Sequence, residues 1–470
     1  MMSSIVYKVR LMALLLLAVG TSYGTMQAQA DYRMFEAKTP QLDPAYAKGV
    51  SGHIAGELRP GLLVMAGGCN FPDRPAREGG AKRYYSEIYL GEYAGEVLRA
   101  CETKASEVDI WWVLIGHLPQ PTAYAAFQRY DDKLIVAGGQ SAAGDLSDAY
   151  IIELSDSLGV EITPLPSLPE PRSGMASALI GNVFYLIGGR VNGKLSNTVL
   201  SLDLRRPQKE WREETPYPHS PFLKLVAMTN QDESDTSSGV PYLSVMGSFT
   251  GVDEPDQRVQ ADVTYMTYTP QTKQWQTYKI APDDPIAAHG FGGGYASEYS
   301  NSFSGGVRAD LFVTTLQREK DLKAAKAKGS HQLVEKLQAE QRAYLSHEPA
   351  WYGFCSDWYS FDKSRGRGEA KSGFCFDGRA DAVYLDRYFS MTDGMLIGGE
   401  TMPGVRTPSI VIFTTACDPP KFHVMIDPNY QLGDSALPNN YRSPVRESRE
   451  TINTRPHPQL RLRVGTCIYR

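Results

Sequence analysis

Short apolar runs that stop at paired glycines recur along the chain. They read "LLVMAGG" ending at Gly68, "KLIVAGG" at Gly139, "VFYLIGG" at Gly189 and "GMLIGG" at Gly399. A degraded copy, "YLSVMGS", surrounds Gly247, and a weak one, "NSFSGG", ends at Gly306. Each run predicts a buried strand, and the glycines let the backbone turn sharply at its end. An aromatic strand follows most copies, as in "SEIYL", "SDAYII", "NTVLSLD", "DVTYMTY" and "DWYSFD". A tryptophan (Trp112, Trp211, Trp275) often comes next, then a proline-rich link such as "LPQPTAY" or "LPSLPEPRSG".

The copies are spaced by roughly 50 to 95 residues, close to the period of about 50 expected of kelch blades that carry insertions. Six such units predict an all-β fold, a six-bladed kelch-type β-propeller, in preference to a two-sheet sandwich rich in glycine turns. Residues 31–61 would then supply strands near the ring closure, so that the two ends of the chain share one blade and no sheet edge is left open. Residues 316–345 break the pattern. They are rich in Lys, Glu, Ala and Gln with apolar residues at helical spacing, and predict a helical insertion in the fifth blade, interrupted at Gly329. Its charges read as a solvated face, although it could lean over one mouth of the propeller.

Composition narrows the setting. The chain has 470 residues and a net charge of −5, without the basic footprint of a nucleic-acid binder. Lys8 and Arg10 precede the apolar residues 11–19, and Ala28-Gln29-Ala30 offers a small-x-small cleavage site. Residues 1–30 are therefore expected to be a secretory signal, and the protein to be periplasmic. No later stretch approaches the roughly 18 uncharged apolar residues of a membrane span. The expected organisation is a signal at 1–30, a propeller at 31–417 and an irregular, polar tail at 418–470. The six cysteines form no CxxC pair, which argues against a zinc site or a dense disulfide framework. A Cys355–Cys375 bridge is one arrangement an oxidising compartment would permit.

Candidate chemistry gathers in four places. In "IGGETMPGVRTPSIVIF", the Pro403-Gly404 corner can fold Arg406 back beside Glu400. A carboxylate in a partly dry cavity suits a general base, and an arginine suits a substrate carboxylate; the plain alternative is an ion pair bracing the turn. Residues 67–89 form a long loop in which Asn70, Arg74 and Glu78 could hydrogen-bond a polyhydroxylated ligand while Tyr84 or Tyr85 packs on a sugar face. The alternative is a loop packed on itself. His289 in "IAAHGFGGG" could assist proton transfer or be a satisfied structural histidine. Arg172 in "EPRSGMAS" could point inward or brace neighbouring blades.

The stretches "LLVMAGGCNFPDRPAREGGAKRYYSEIYL", "KLIVAGGQSAAGDLSDAYII", "IAAHGFGGG" and "GGETMPGVRT" together resemble the cyclically permuted mutarotase family. Its members are exported bacterial kelch-type propellers related to N-acetylneuraminate epimerase. The resemblance runs from about Gly49 to Phe413. Unpermuted epimerases carry Gly-Glu-x-x-Pro-Gly-x-Arg-Thr in mid-chain; here Gly399, Glu400, Pro403, Gly404, Arg406 and Thr407 stand near the propeller's end. The blade that follows the motif there corresponds here to the blade of Gly67 and Gly68. The resemblance implies an isomerase that interconverts anomers of a sugar acid, N-acetylneuraminate (sialic acid), with no cofactor. It also implies that Glu400 accepts the proton and Arg406 engages substrate, and it raises His289, which matches an Ala-Gly-His turn. The chain departs from the pattern at Cys69, where "GGANFP" has alanine, in one lost doublet, and after Cys417. A sialidase would need repeated Ser-x-Asp-x-Gly-x-x-Trp turns and an arginine triad. A kelch-type copper oxidase would need a Tyr, Cys and paired-His cage. A non-catalytic glycan-binding or protein-binding kelch module is the remaining rival.

Overall fold

The computed structural model describes residues 32–93, 106–230, 240–297, 301–371, 378–386, 394–415 and 463–464. The expected signal, Cys375 and nearly all of the expected tail lie outside the described residues. The chain is mostly β-sheet. It forms five antiparallel sheets of four strands and a sixth sheet of six strands, with small ribbons at their ends. The first strands are Ile54–Arg59, Ala126–Tyr130, Ala176–Ile180, Val226–Asn230, His289–Ser297 and Val383–Asp386. The glycine-ended runs are the second strands, among them Leu62–Ala66, Lys133–Ala137, Val183–Ile187 and Gly394–Ile397. Leu62–Ala66 is buried at every position because sheets cover both of its faces, which explains an unbroken apolar run where alternation would otherwise appear. In the sixth sheet the fourth strand is Tyr32–Lys38, from the other end of the chain.

Apolar clusters join the sheets in sequence. Val64 and Leu90 of the first sheet pack with Leu134 and Ile152 of the second, and similar clusters link the second to the third, the third to the fourth and the fourth to the fifth. Tyr295 and Trp358 of the fifth meet Leu396 and Phe413 of the sixth. Ile397 and Ile412 of the sixth meet Leu63 and Tyr89 of the first.

The doublets fasten one sheet to the next. Gly139 N donates to Arg172 O at 2.8 Å, and Gly68, Gly306 and Gly399 make the corresponding bonds to Thr122, Arg379 and Val50. At Gly138, with φ of 63°, a Cβ would stand 2.4 Å from the Arg172 carbonyl oxygen, so no side chain fits. Arg172 completes this joint. Its guanidinium donates to Gly188 O at 3.3 Å and to Thr198 Oγ1 at 2.9 Å. Arg379 repeats the arrangement with Gly398 O and Ser409 O.

A second set of bonds runs around the first strands. Gly52, Tyr124, Gly174, Lys224 and Asp381 each lie two residues before a first strand, and Gly293 lies at a register shift within one. All six have φ between 52° and 81°. Four of their amides pass hydrogen bonds from sheet to sheet: Asp381 N to Gly293 O (2.7 Å), Gly52 N to Asp381 O (3.1 Å), Tyr124 N to Gly52 O (2.8 Å) and Gly174 N to Tyr124 O (2.9 Å).

Between the second and third strands of the fifth sheet, the chain forms helices α1 (Ala309–Ala327), α2 (His331–Tyr344) and α3 (Pro349–Tyr352). Gly329 turns the first into the second with φ of 66°. Helix formation begins at Ala309, before the Lys- and Glu-rich residues. Those charges do more than face water: Lys320 Nζ donates to the carbonyls of Gly251 and Gln257, each at 2.6 Å, and to that of Glu254. Among the described residues no helix is long and apolar enough to cross a membrane.

His53, 2% exposed, lies against Gly68 and Gly398, and neither ring nitrogen has a partner among the described residues. Burial pushes its pKa down to about 3. Two expectations follow. Gly181→Ala, at φ of 55° with open space around it, should cost about 1 kcal/mol, and Gly138→Ala several times that, in denaturant melts. For His53, the unfolded chain binds a proton below about pH 6.5 that the folded chain refuses until about pH 3. Stability from this group is therefore complete above pH 6.5 and falls as the pH drops towards 3, by about 1.4 kcal/mol per unit. Melting midpoints measured across that range should fall less steeply in His53→Leu.

Candidate functional site

Glu400–Met402 and Val405–Arg406 form a hairpin that turns at Pro403-Gly404, with Glu400 directly opposite Arg406. Backbone bonds between Glu400 and Ala380 (2.7 and 3.0 Å), and from Thr407 N to Gly399 O, hold it against the sixth sheet. Two insertions hold its far end. Met402 packs with Tyr344 and Tyr352 of the helical segment, and Gly404 lies so close to Ala76 of the 67–89 loop that a Cβ would come within 2.5 Å.

The hairpin brings Arg406 Nη2 to 2.6 Å from Glu400 Oε1, with the two side chains 3% and 17% exposed. Arg406 Nε donates to Ser51 Oγ at 3.0 Å, and Nη2 also lies 3.5 Å from the Tyr124 hydroxyl. The guanidinium stands 4.9 Å from the Phe71 ring centroid. Its Nη1 is buried without a partner among the described residues. Burial alone would lower the guanidinium pKa, but Glu400 and its other neighbours raise it, so it stays charged. A buried ion pair adds little net stability. An orphaned donor on one of its members is an outright cost.

A cavity of about 270 Å³, lined by first-strand residues of all six sheets, meets the surroundings of this pair at Tyr124, although neither Glu400 nor Arg406 is among its lining residues. Tyr124 belongs both to its wall and to the surroundings of Arg406. Lys224 and Asp381, also in the wall, form an ion pair. Lys82 Nζ lies 3.4 Å from the Tyr124 hydroxyl and 5.0 Å from its ring centroid, and Lys224 Nζ lies 5.1 Å from the same centroid. Tyr84 joins this neighbourhood: its hydroxyl donates to Gln140 Oε1 at 3.0 Å. Burial, with Cys69 adding to it and Arg406 opposing, pushes the Tyr84 pKa up to about 12.

The remaining sequence candidates stand elsewhere or are already engaged. Asn70 is corrected to a structural role: its Nδ2 donates to the carbonyls of Ala45 (2.7 Å) and Gly49 (2.9 Å), and its Oδ1 accepts from Tyr85 at 2.8 Å, which uses its recognition groups. Arg172 is likewise spent on the joint between sheets. Arg74 and Glu78 are exposed; Arg74 bonds Gly79 O in its own loop, and Glu78 lies 3.6 Å from Arg77. His289 packs on Tyr359 of the fifth sheet at 5.3 Å between centroids, with burial lowering its pKa against the opposing Asp357. No described contact joins it to Glu400 or Arg406.

Sequence reasoning passed over Ser51, Lys82, Tyr124, Lys224 and Asp381. Aligning the repeats would have found three of them, because Tyr124, Lys224 and Asp381 occupy the place held by glycine in "SGH" and "SGM".

The Kelch motif family matches residues 171–216, which span the third sheet. A protein named N-acetylneuraminate epimerase from Yersinia pestis (strain Pestoides F) is 30% identical over 102 residues, 22% of this chain and 24% of that protein. One of the same name from Pasteurella multocida (strain Pm70) is 26% identical over 280 residues, 59% of this chain and 63% of that protein. The chain thus spans less than two thirds of the length of the curated relatives it matches. A solved structure named "Structure of YjhT" aligns at 22% identity over 52% of this chain and 64% of that chain, with a TM-score of 0.40. With the kelch match and these relatives together, the chain is a kelch-type relative of the proteins named N-acetylneuraminate epimerase.

Proposed function

We propose that residues 31–417 close into a six-bladed propeller and that the protein is an exported, periplasmic mutarotase of N-acetylneuraminate. The circuit of apolar clusters, which returns from the sixth sheet to the first, supports the closed ring. The order of basic, apolar and small residues in 1–30 supports export, and the curated names support the substrate. One observation carries the chemistry: a largely buried carboxylate–guanidinium pair that reaches the cavity wall through Tyr124, with Arg406 Nη1 lacking a partner among the described residues.

Anomers of such a sugar exchange by opening the ring to a ketone and closing it on the other face. Glu400 takes the proton of the anomeric hydroxyl and returns it after the C2 carbonyl has presented its other face. Arg406 draws the C1 carboxylate to its spare donor, which sets C2 beside Glu400 by position alone. The reaction needs neither metal nor nucleotide, and because free anomers already interconvert slowly, a modest lowering of the barrier suffices.

Exchange of freshly released α anomer, followed by proton NMR, should be fast with the wild-type protein. Glu400→Gln, which keeps the size of the side chain and its hydrogen bond to Arg406, should fold normally and lose about 100-fold in rate. Exchange at wild-type rates in that variant rejects Glu400 as the base. Tight binding in calorimetry with no exchange by the wild type would instead favour a glycan-binding module.

A further inference from the structure

Ring opening also needs an acid for the ring oxygen, and Glu400 begins the step as a base. Tyr124 touches both Arg406 and the cavity. Its hydroxyl oxygen lies 3.4 Å from Lys82 Nζ, 3.5 Å from Arg406 Nη2 and 3.4 Å from Cys69 Sγ. The first two groups can only donate. The Cys69 thiol also approaches Ser51 O at 3.7 Å, and its sulfur is a poor acceptor. The phenol is therefore surrounded by donors, and its own hydrogen has no strong acceptor among the described residues. Tyr124 lines the cavity and holds φ of 54°, a conformation that glycine takes at equivalent positions in three other sheets. A large side chain kept in that conformation at about 1–2 kcal/mol of backbone strain needs a reason.

We infer that Tyr124 is the general acid of the proposed mutarotase, and that Lys82 and Arg406 stabilise the phenolate it becomes. This role rests on the mutarotase reading. In opening, Glu400 takes the anomeric hydroxyl proton, the electrons of that O–H bond form the C2 carbonyl, and the C2–O6 bond breaks. O6 leaves with that bond's electron pair and takes the Tyr124 proton. In closure O6 attacks the other face of C2, gives its proton back to Tyr124, and the carbonyl oxygen recovers the proton held by Glu400. Both residues end as they began. Burial first, then the neighbouring Cys69 and Asp381, holds the phenol pKa well above the ordinary value against the opposing Arg406. The group therefore enters the cycle protonated at neutral pH. The charged and titratable groups around it are Cys69, Lys82, Lys224, Asp381, Glu400 and Arg406.

The test compares wild type, Glu400→Gln, Tyr124→Phe and a protein with a polyfluorinated, more acidic tyrosine at position 124. Each is assayed for N-acetylneuraminate exchange by NMR and for binding by calorimetry. Tyr124→Phe should melt like the wild type, bind the sugar within a fewfold and exchange it about 100-fold more slowly. The fluorinated protein should lose rate at a lower alkaline pH than wild type, which a purely structural tyrosine would not cause. Exchange within twofold of wild type in Tyr124→Phe, or an unmoved alkaline limit in the fluorinated protein, overturns the role of Tyr124 alone if Glu400→Gln is still inactive. Absence of exchange in the wild type overturns the mutarotase reading and this role with it.

Discussion

Everything at the centre of this protein depends on amides handed from one sheet to the next through left-handed backbone. The bonds from Asp381 to Gly293, Gly52 to Asp381, Tyr124 to Gly52 and Gly174 to Tyr124 require each donor's chain to reverse sharply just before its first strand. Glycine does this without steric penalty. Tyrosine, lysine and aspartate do not, and three such residues in one belt place strain of the kind that native structures keep where a side chain is used. The constraint that links five of the six first strands thus also marks residues standing at the cavity between them. Lys224 and Asp381 neutralise each other there, while Tyr124 reaches towards Arg406.

The fold was legible where its signal is local. A second strand buried on both faces must be apolar throughout, and the doublet that ends it must be glycine because a neighbouring carbonyl occupies the space a Cβ would need. Both facts can be read within seven residues, so the repeats stand out. The pairing of Glu400 with Arg406 was legible for the same reason, since a Pro-Gly corner brings residues six apart face to face. What stayed hidden depends on distant backbone. Nothing near Asn70 says that carbonyls of Ala45 and Gly49 will consume its amide. Nothing near Arg172 says that its guanidinium will cap a strand end at Gly188. A polar residue in a loop looks available until the carbonyls around it are counted. The start of the insertion was hidden too, because Ala309 to Val313 continues the apolar character of the preceding strand.

The two insertions gain a common purpose from the hairpin between them. The 67–89 loop sets Ala76 against Gly404 and Phe71 against the Arg406 guanidinium, and the helical segment sets Tyr352 under Met402. Tyr352, itself 1% exposed, is tied by its hydroxyl to Tyr344 O at 2.6 Å. A hairpin with so few strand residues has little stability of its own. Packed from both sides, its two charges keep one geometry, which is the condition for an ion pair to act on a ligand by position. The long loop therefore contributes less by offering Asn70, Arg74 or Glu78 than by supporting the residues opposite it.

The site is also a product of where the chain's ends meet. Arg406 belongs to the hairpin held against the sixth sheet, but Ser51 and Tyr124, which it touches, precede the first and second, and the bond to Ser51 spans 355 positions in sequence. Tyr32–Lys38 adds a strand to the sixth sheet, and Thr39 N bonds Pro408 O at 2.8 Å just beside it. The contacts that orient the guanidinium are thus among the most distant in the chain, and loop-closure entropy opposes them until the intervening sheets are in place. The proposed ring of sheets has no intrinsic beginning, so a motif can stand beside its last sheet without losing its neighbours, provided that the ends close. Closure and site assembly are then one event: a chain that left its first and sixth sheets apart would keep its strands and its doublets, and Arg406 would have Glu400 beside it with neither Ser51 nor Tyr124 to aim the pair.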